Sequence, residues 1–200
     1  MKIKHQLLAG LCLCLSTNIF SQNFMQSAGG TVSVLSAHVK IPGANPLWGS
    51  PYAEEYNFAM VQTGATYFPR LNFLETQNSS LSIGMPISLG FGSASNTSDD
   101  SKGVFFSYDL PVIADYNIGL RSTSENEKNF GFFFGAGFGY NHVGLALSSG
   151  SEKISSYGPL AHTGARFNMN RTALTLGFFY KMGMETQKYK TFGFQVLADL

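Results

Sequence analysis

Asp109, Asp115, His162, Arg166, Lys181 and Gln195 are the side chains of this sequence that could do ionic or acid–base chemistry together. Each falls on the small or polar parity of a segment whose alternate positions are mostly bulky and apolar. A low-dielectric interior demands that charges be paired or hydrated, so the expectation is a lumenal network joining Asp109 and Asp115 to Arg166 and Lys181. Nucleophilic catalysis needs more, namely a nucleophile beside an oriented base. The histidines beyond residue 21 are His38, His142 and His162, and none sits in a recognisable Ser/His/Asp arrangement. His142 shares parity with Phe138 and Tyr140 and reads as interfacial, whereas His162 reads as a lumenal partner. No His, Asp or Glu cluster has metal-ligand spacing, and Asp99-Asp100 reads as a solvated loop. The run Gly135-Ala136-Gly137-Phe138-Gly139 lacks the following helix that a dinucleotide fingerprint requires. The chain is therefore expected to be no enzyme and to hold neither cofactor nor metal.

The elements that must position these residues are strands. From Val104 to Ile118, even-numbered positions form an apolar stripe while Ser107, Asp109, Pro111, Asp115 and Asn117 take the odd ones. A period of two kept this long exceeds the usual globular strand and suits a tilted strand crossing a bilayer. Similar alternation predicts strands over 31–40, 57–68, 79–91, 130–142, 157–168, 174–182 and 189–200, about eight in all, with Pro69 ending the second. The facing of the first is ambiguous, because Val32 and Val34 oppose Leu35, Ala37 and Val39. With both ends of the barrel on the periplasmic side, connections 41–56, 92–103, 143–156 and 183–188 would face outward. Tyr67, Tyr116, Tyr140 and Tyr180 near strand ends suit an aromatic girdle. Trp48, in a proline-bounded loop, is expected either to rest at the membrane interface or to contact a partner.

Composition and the leader agree with export to a membrane. Lys2 and Lys4, the apolar run Leu7–Leu15 and a small residue at Ser21 read as a cleaved signal peptide over 1–21, leaving 22–200 as one domain. Cys12 and Cys14 fall within that leader, so the remaining chain has no cysteine and no disulfide. Charged residues are 12% of the whole, about half the usual share of a soluble domain. Losing Lys2 and Lys4 from 13 basic residues leaves 11 against 12 acidic ones, a balance that argues against a nucleic-acid partner. Turned outward, the ring-bearing parity would contact lipid, and the glycines of the other parity would leave lumenal room for Phe133, Phe179, Arg166 and Lys181.

On these residues, with the leader ending Phe20-Ser21 and the terminal segment Phe192-Gly193-Phe194-Gln195-Val196-Leu197-Ala198-Asp199-Leu200, the chain resembles the small outer-membrane β-barrel proteins of the OmpX and OmpA transmembrane-domain type. Tyr67-Phe68-Pro69-Arg70 and Asp109-Leu110-Pro111 resemble recurring phrases of that group. The resemblance implies an all-β, antiparallel up-and-down transmembrane barrel in the outer membrane of a Gram-negative bacterium. It implies outer-membrane lipid and the barrel-assembly machinery as partners, the latter reading Phe192, Phe194, Val196 and Leu200, with Leu200 in place of the usual terminal aromatic. The expected role is structural, adhesive or surface-interacting, with the lumen plugged by polar side chains. The alternatives are a narrow pore for small solutes or a soluble lipocalin-like carrier of an apolar ligand.

Overall fold

Segments that alternate bulky apolar with small polar residues can satisfy every backbone amide only by pairing on both sides, and here the pairing closes on itself. The computed structural model describes residues 23–42, 53–96, 102–147, 150–169, 172–184 and 188–200. The expected leader and Trp48 lie outside the described residues. The strands are β1 (Phe24–Pro42), β2 (Ala53–Glu75), β3 (Ser79–Gly84), β4 (Ile87–Asn96), β5 (Lys102–Gly119), β6 (Phe130–Leu147), β7 (Gly150–Met169), β8 (Thr172–Met182) and β9 (Lys188–Asp199).

All pairings are antiparallel, and β1 pairs with both β2 and β9, so the sheet has no first or last strand. Both β3 and β4 lie between β2 and β5, and they fill one position of the ring. The fold is a closed, up-and-down β-barrel of eight positions.

The register gives the tilt. Stepping across the ring from Phe24 leads through Leu71, Ile83, Ala114, Ala136, Ala161, Tyr180 and Phe192 back to β1 at Val34, ten residues beyond the start. Spread over eight strand spacings, this stagger inclines the strands by about 40° to the barrel axis. A barrel of this size has an interior that side chains just fill.

Several expected boundaries move. β1 starts at Phe24 and not near Thr31, with Val32 and Val34 outward and Leu35 and Ala37 buried inside, which resolves the ambiguity of that strand. β2 does not stop at Pro69 but runs on to Glu75. In an antiparallel ladder a residue aims its N–H and C=O at the same neighbour, and the Pro69 carbonyl accepts from the Met85 N–H. The missing proline N–H therefore points at Met85-Pro86, where the ladder is already interrupted between β3 and β4. For the same reason the expected strand over 79–91 is two strands, the second reaching Asn96. Strand residues also replace much of the loops expected over 41–56, 92–103 and 143–156, and the link after β2 shrinks to a tight turn at Thr76–Asn78. Tyr67, expected near a strand end, lies well inside β2 and donates to Gln26 Oε1 at 2.5 Å.

Candidate functional site

Every second residue of β5 enters the lumen, and its inward series Asn117, Asp115, Asp109, Ser107 and Phe105 runs from the end that holds the chain termini to the end that holds the long connections. Each level has its own partner from another strand. Asn117 Oδ1 accepts from Arg166 Nη2 at 2.8 Å and from Arg70 Nη1 at 3.3 Å. Asp115 meets His162 Nδ1 at 3.1 and 3.2 Å, and His162 Nε2 lies 2.8 Å from Gln195 Nε2. The Gln195 amide nitrogen can only donate, so the imidazole accepts at Nε2 and gives its Nδ1 proton to the carboxylate. Asp109 Oδ1 accepts from Lys181 Nζ at 2.6 Å, a charge-assisted contact. Ser107 Oγ donates to Gln62 Oε1 at 2.7 Å. The series ends in an apolar layer in which Phe105 joins Leu35, Met60, Val143, Leu145 and Ile154.

Of the six residues expected to act together, all are buried, but five of them form two groups and Arg166 joins neither. Lys181 pairs with Asp109 as expected, while Asp115 is taken by His162 and Gln195. Arg166 has no carboxylate within ion-pair distance among the described residues; it turns to Asn117 and lies 4.6 Å from the centre of the Phe133 ring. The reason is register. Arg166 sits on β7 four residues nearer the terminal end than His162, at the level of Asn117 and below that of Asp115.

Arg70 is the residue that sequence reading missed. It is buried, and besides Asn117 it donates to Met25 Sδ at 3.2 Å and to the Arg121 carbonyl at 2.8 Å. Its neighbour Asn72 donates to the Ser122 carbonyl at 2.8 Å, and Ser80 Oγ reaches that same carbonyl. These bonds tuck the turn between β5 and β6 under the terminal mouth of the barrel, where Ser122, Thr123 and Asn126 are buried. Gly119 and Arg121 take positive φ of 77° and 55° to make that turn. Arg121 also meets Asp199 near the chain end, at 3.4 Å.

The outer surface has the opposite character. Around the whole ring, from Phe106 to Ile118 on β5 and at equivalent heights on the other strands, outward residues are apolar or aromatic with a few small polar ones. Among the described outward positions, Asp, Glu, Lys and Arg occur only at the two rims: Lys102, Lys153 and Lys190 at the loop end, and Glu75, Arg121, Glu125, Glu127 and Lys128 at the other. The uncharged belt between them is about 30 Å tall along the axis. This arrangement is the reverse of a lipocalin-like carrier, whose apolar stripes face its own interior; the alternative of a soluble carrier is therefore overturned.

At the loop-side edge of the belt, His142 stacks on Tyr108 at 5.1 Å and its Nδ1 lies 2.8 Å from Ser155 Oγ, which also accepts from Tyr140 Oη at 3.2 Å. Parity alone put His142 among interfacial aromatics, and its ring does lie there, but the Ser155 partner needs the β6–β7 register to be seen. Among the described residues no carboxylate or amide orients the other ring nitrogen.

No family model matches the chain, and no curated protein does. Among solved structures it is similar to Ail, the attachment invasion locus protein of Yersinia pestis, in complex with the heparin analogue sucrose octasulfate: 14% identity over 88% of this chain and 99% of that one, with a TM-score of 0.40. Neisserial surface protein A is similar at 14% identity, 88% and 96% coverage and a TM-score of 0.45. The N-terminal β-barrel domain of Pseudomonas aeruginosa OprF follows at 13% identity, 86% and 99% coverage and a TM-score of 0.34. The barrel itself rests on the strand register of this chain.

The segment expected to act as an assembly signal lies on β9, with Phe192, Phe194 and Val196 outward and Leu200 just beyond the strand, its N–H bonded to the Gln26 carbonyl. It is thus the closing strand of the barrel, pairing with both β8 and β1.

Proposed function

We propose that this protein is an integral outer-membrane β-barrel with a structural, adhesive or surface-interacting role, without enzymatic activity and without an open pore. The observation that carries the reading is the uncharged apolar belt around the described outer face, set against an ion pair and hydrogen-bonded polar side chains buried inside. Water would leave that belt unsolvated, whereas hydrocarbon wets it and a closed sheet leaves no backbone group unpaired there. Export by the 1–21 leader, delivery to the barrel-assembly machinery through Phe192, Phe194, Val196 and Leu200, and contacts of the outward loops, Trp48 included, belong to this reading.

Two features support a closed lumen. The polar levels along β5 fill the cross-section with bonded side chains, and the apolar layer at the loop end offers ions no hydration. The β5–β6 turn stoppers the other mouth. The lumenal groups Asp109, Asp115, His162, Arg166, Lys181 and Gln195 then hold the barrel's shape and position no substrate.

Fractionation of a native envelope, with protease shaving of intact cells, tests location and orientation together. Recovery with the outer membrane and cleavage confined to the β1–β2, β4–β5, β6–β7 and β8–β9 connections is expected; recovery in the soluble periplasm contradicts the reading. Planar-bilayer recording on purified protein tests closure, with current no greater than through empty bilayer as the expected result and discrete channel steps as the contradicting one.

A further inference from the structure

The belt is not uniform, and one of its bare stretches lies near two lysines. On the outer wall at the loop end is a groove of about 720 Å3. Phe91, Val104 and Phe106 form its walls, each more than half exposed, and Gly144 and Ala146 on β6 leave its floor almost bare. The register fixes what stands beside the floor. Gly144 pairs with Phe106 on one side and with Lys153 on the other. Lys102 lies two residues above Val104 on the same face of β5, so the two lysines flank the loop end of the groove. Outward small residues occur elsewhere on the belt, as at Ala114, Ala136 and Ala161, but here a flexible chain can lie close to the backbone with a lysine on the strand at either side.

We propose that this groove binds one lipid of the loop-side leaflet, seating an acyl chain over Gly144 and Ala146 and an anionic phosphate headgroup between Lys102 and Lys153. The proposal rests on the membrane reading above. Charge favours a phosphate-bearing lipid over a neutral one. Lysines at a membrane surface attract anionic headgroups, and an ammonium serves as a point-charge partner for phosphate. The wall residues supply the apolar contact that distinguishes an acylated lipid from free phosphate.

The test uses the full mature chain, refolded in a neutral sugar detergent and mixed with a bis-phosphorylated, multiply acylated glycolipid or with its dephosphorylated counterpart. Native mass spectrometry counts the lipid retained. The wild type is expected to retain the phosphorylated lipid at least about tenfold more strongly, as two surface lysines would provide. Lys102→Gln with Lys153→Gln is expected to abolish that preference while leaving retention of the dephosphorylated lipid unchanged. Gly144→Leu fills the floor, and its added Cβ meets only an ordinary contact at 3.9 Å from the Phe106 carbonyl; retention of both lipids is expected to fall. Heat-modifiable gel migration of each variant verifies that the barrel is folded. Equal retention of the two lipids by the wild type, a preference that survives the double lysine change, or undiminished retention in Gly144→Leu would each overturn the proposal. A protein that requires detergent yet shows no preference sinks the groove alone, whereas one that needs no amphiphile sinks the membrane reading beneath it.

Discussion

Lys181 and Asp109 show how an ionic residue can be tolerated inside a narrow barrel. The lysine is 1% exposed, and its stem passes Gly139, where a Cβ would stand only 3.2 Å from Lys181 Cδ. Removing one member of a buried pair leaves the other uncompensated, so Lys181→Met is expected to destabilise the barrel by about 3–5 kcal/mol. Asp109→Asn combined with Lys181→Met should recover most of that loss; urea unfolding in detergent micelles followed by far-ultraviolet circular dichroism measures both. A double variant no more stable than Lys181→Met would show that the pair is not what matters. Arg70 depends on shape more than charge, because its planar fork reaches Asn117, Met25 and the Arg121 carbonyl at once. Arg70→Lys is therefore expected to loosen the β5–β6 turn, read as faster amide exchange at Arg121 and Asn126, whose N–H groups are bonded within it. Exchange unchanged from wild type would contradict that role. The six lumenal residues were legible from parity, since alternation alone separates inside from outside. Their partners were not, because whether Arg166 meets Asp115 or Asn117 depends on a two-residue difference in height across the ring.

The strands themselves were legible wherever alternation was clean, as on β5 and β8, and blurred where proline or glycine interrupted it. Pro69 hid the last third of β2, and with it Arg70, because a proline reads as a strand end unless its missing N–H is known to face a gap. The start of β1 was equally obscure: Ala28-Gly29-Gly30 carries too little side chain to show a face, although it pairs with both β2 and β9. The small residues of β9 have a defined task. Phe179 of β8 crosses over Gly193, and a Cβ there would lie 2.1 Å from the Phe179 ring. Gly193→Ala must push that ring away from its place in the lumen, an overpacking expected to cost about 1–3 kcal/mol. Gly193→Ala combined with Phe179→Leu should regain part of the loss, and thermal migration shifts on gels compare the three proteins. If Gly193→Ala unfolds at the wild-type temperature, the packing of β8 against β9 has been misread.

At the scale of the molecule, the barrel has the polarity of a soluble protein turned inside out. The Lys181–Asp109 ion pair and hydroxyl chains such as Thr31 to Thr66 to Ser88 lie in the lumen, while phenylalanine and tyrosine rings cover the outside. The stretch from Gln22 onward has no cysteine and can persist this way because closure of β1 on β9 removes every sheet edge over the belt. Period-two alternation and low charge made that inversion visible in the sequence, but the packing toward each mouth was not visible. The apolar layer draws one or two residues from each of seven strands, and the β5–β6 turn is held by carbonyls that no motif announces. The central claim is that hydrocarbon covers the belt. Size-exclusion chromatography with multi-angle light scattering on refolded residues 22–200, with and without detergent above its micellar concentration, tests it most directly. The account predicts one monodisperse species carrying a detergent ring in the first case and aggregation in the second; a stable, folded monomer in plain buffer would contradict it.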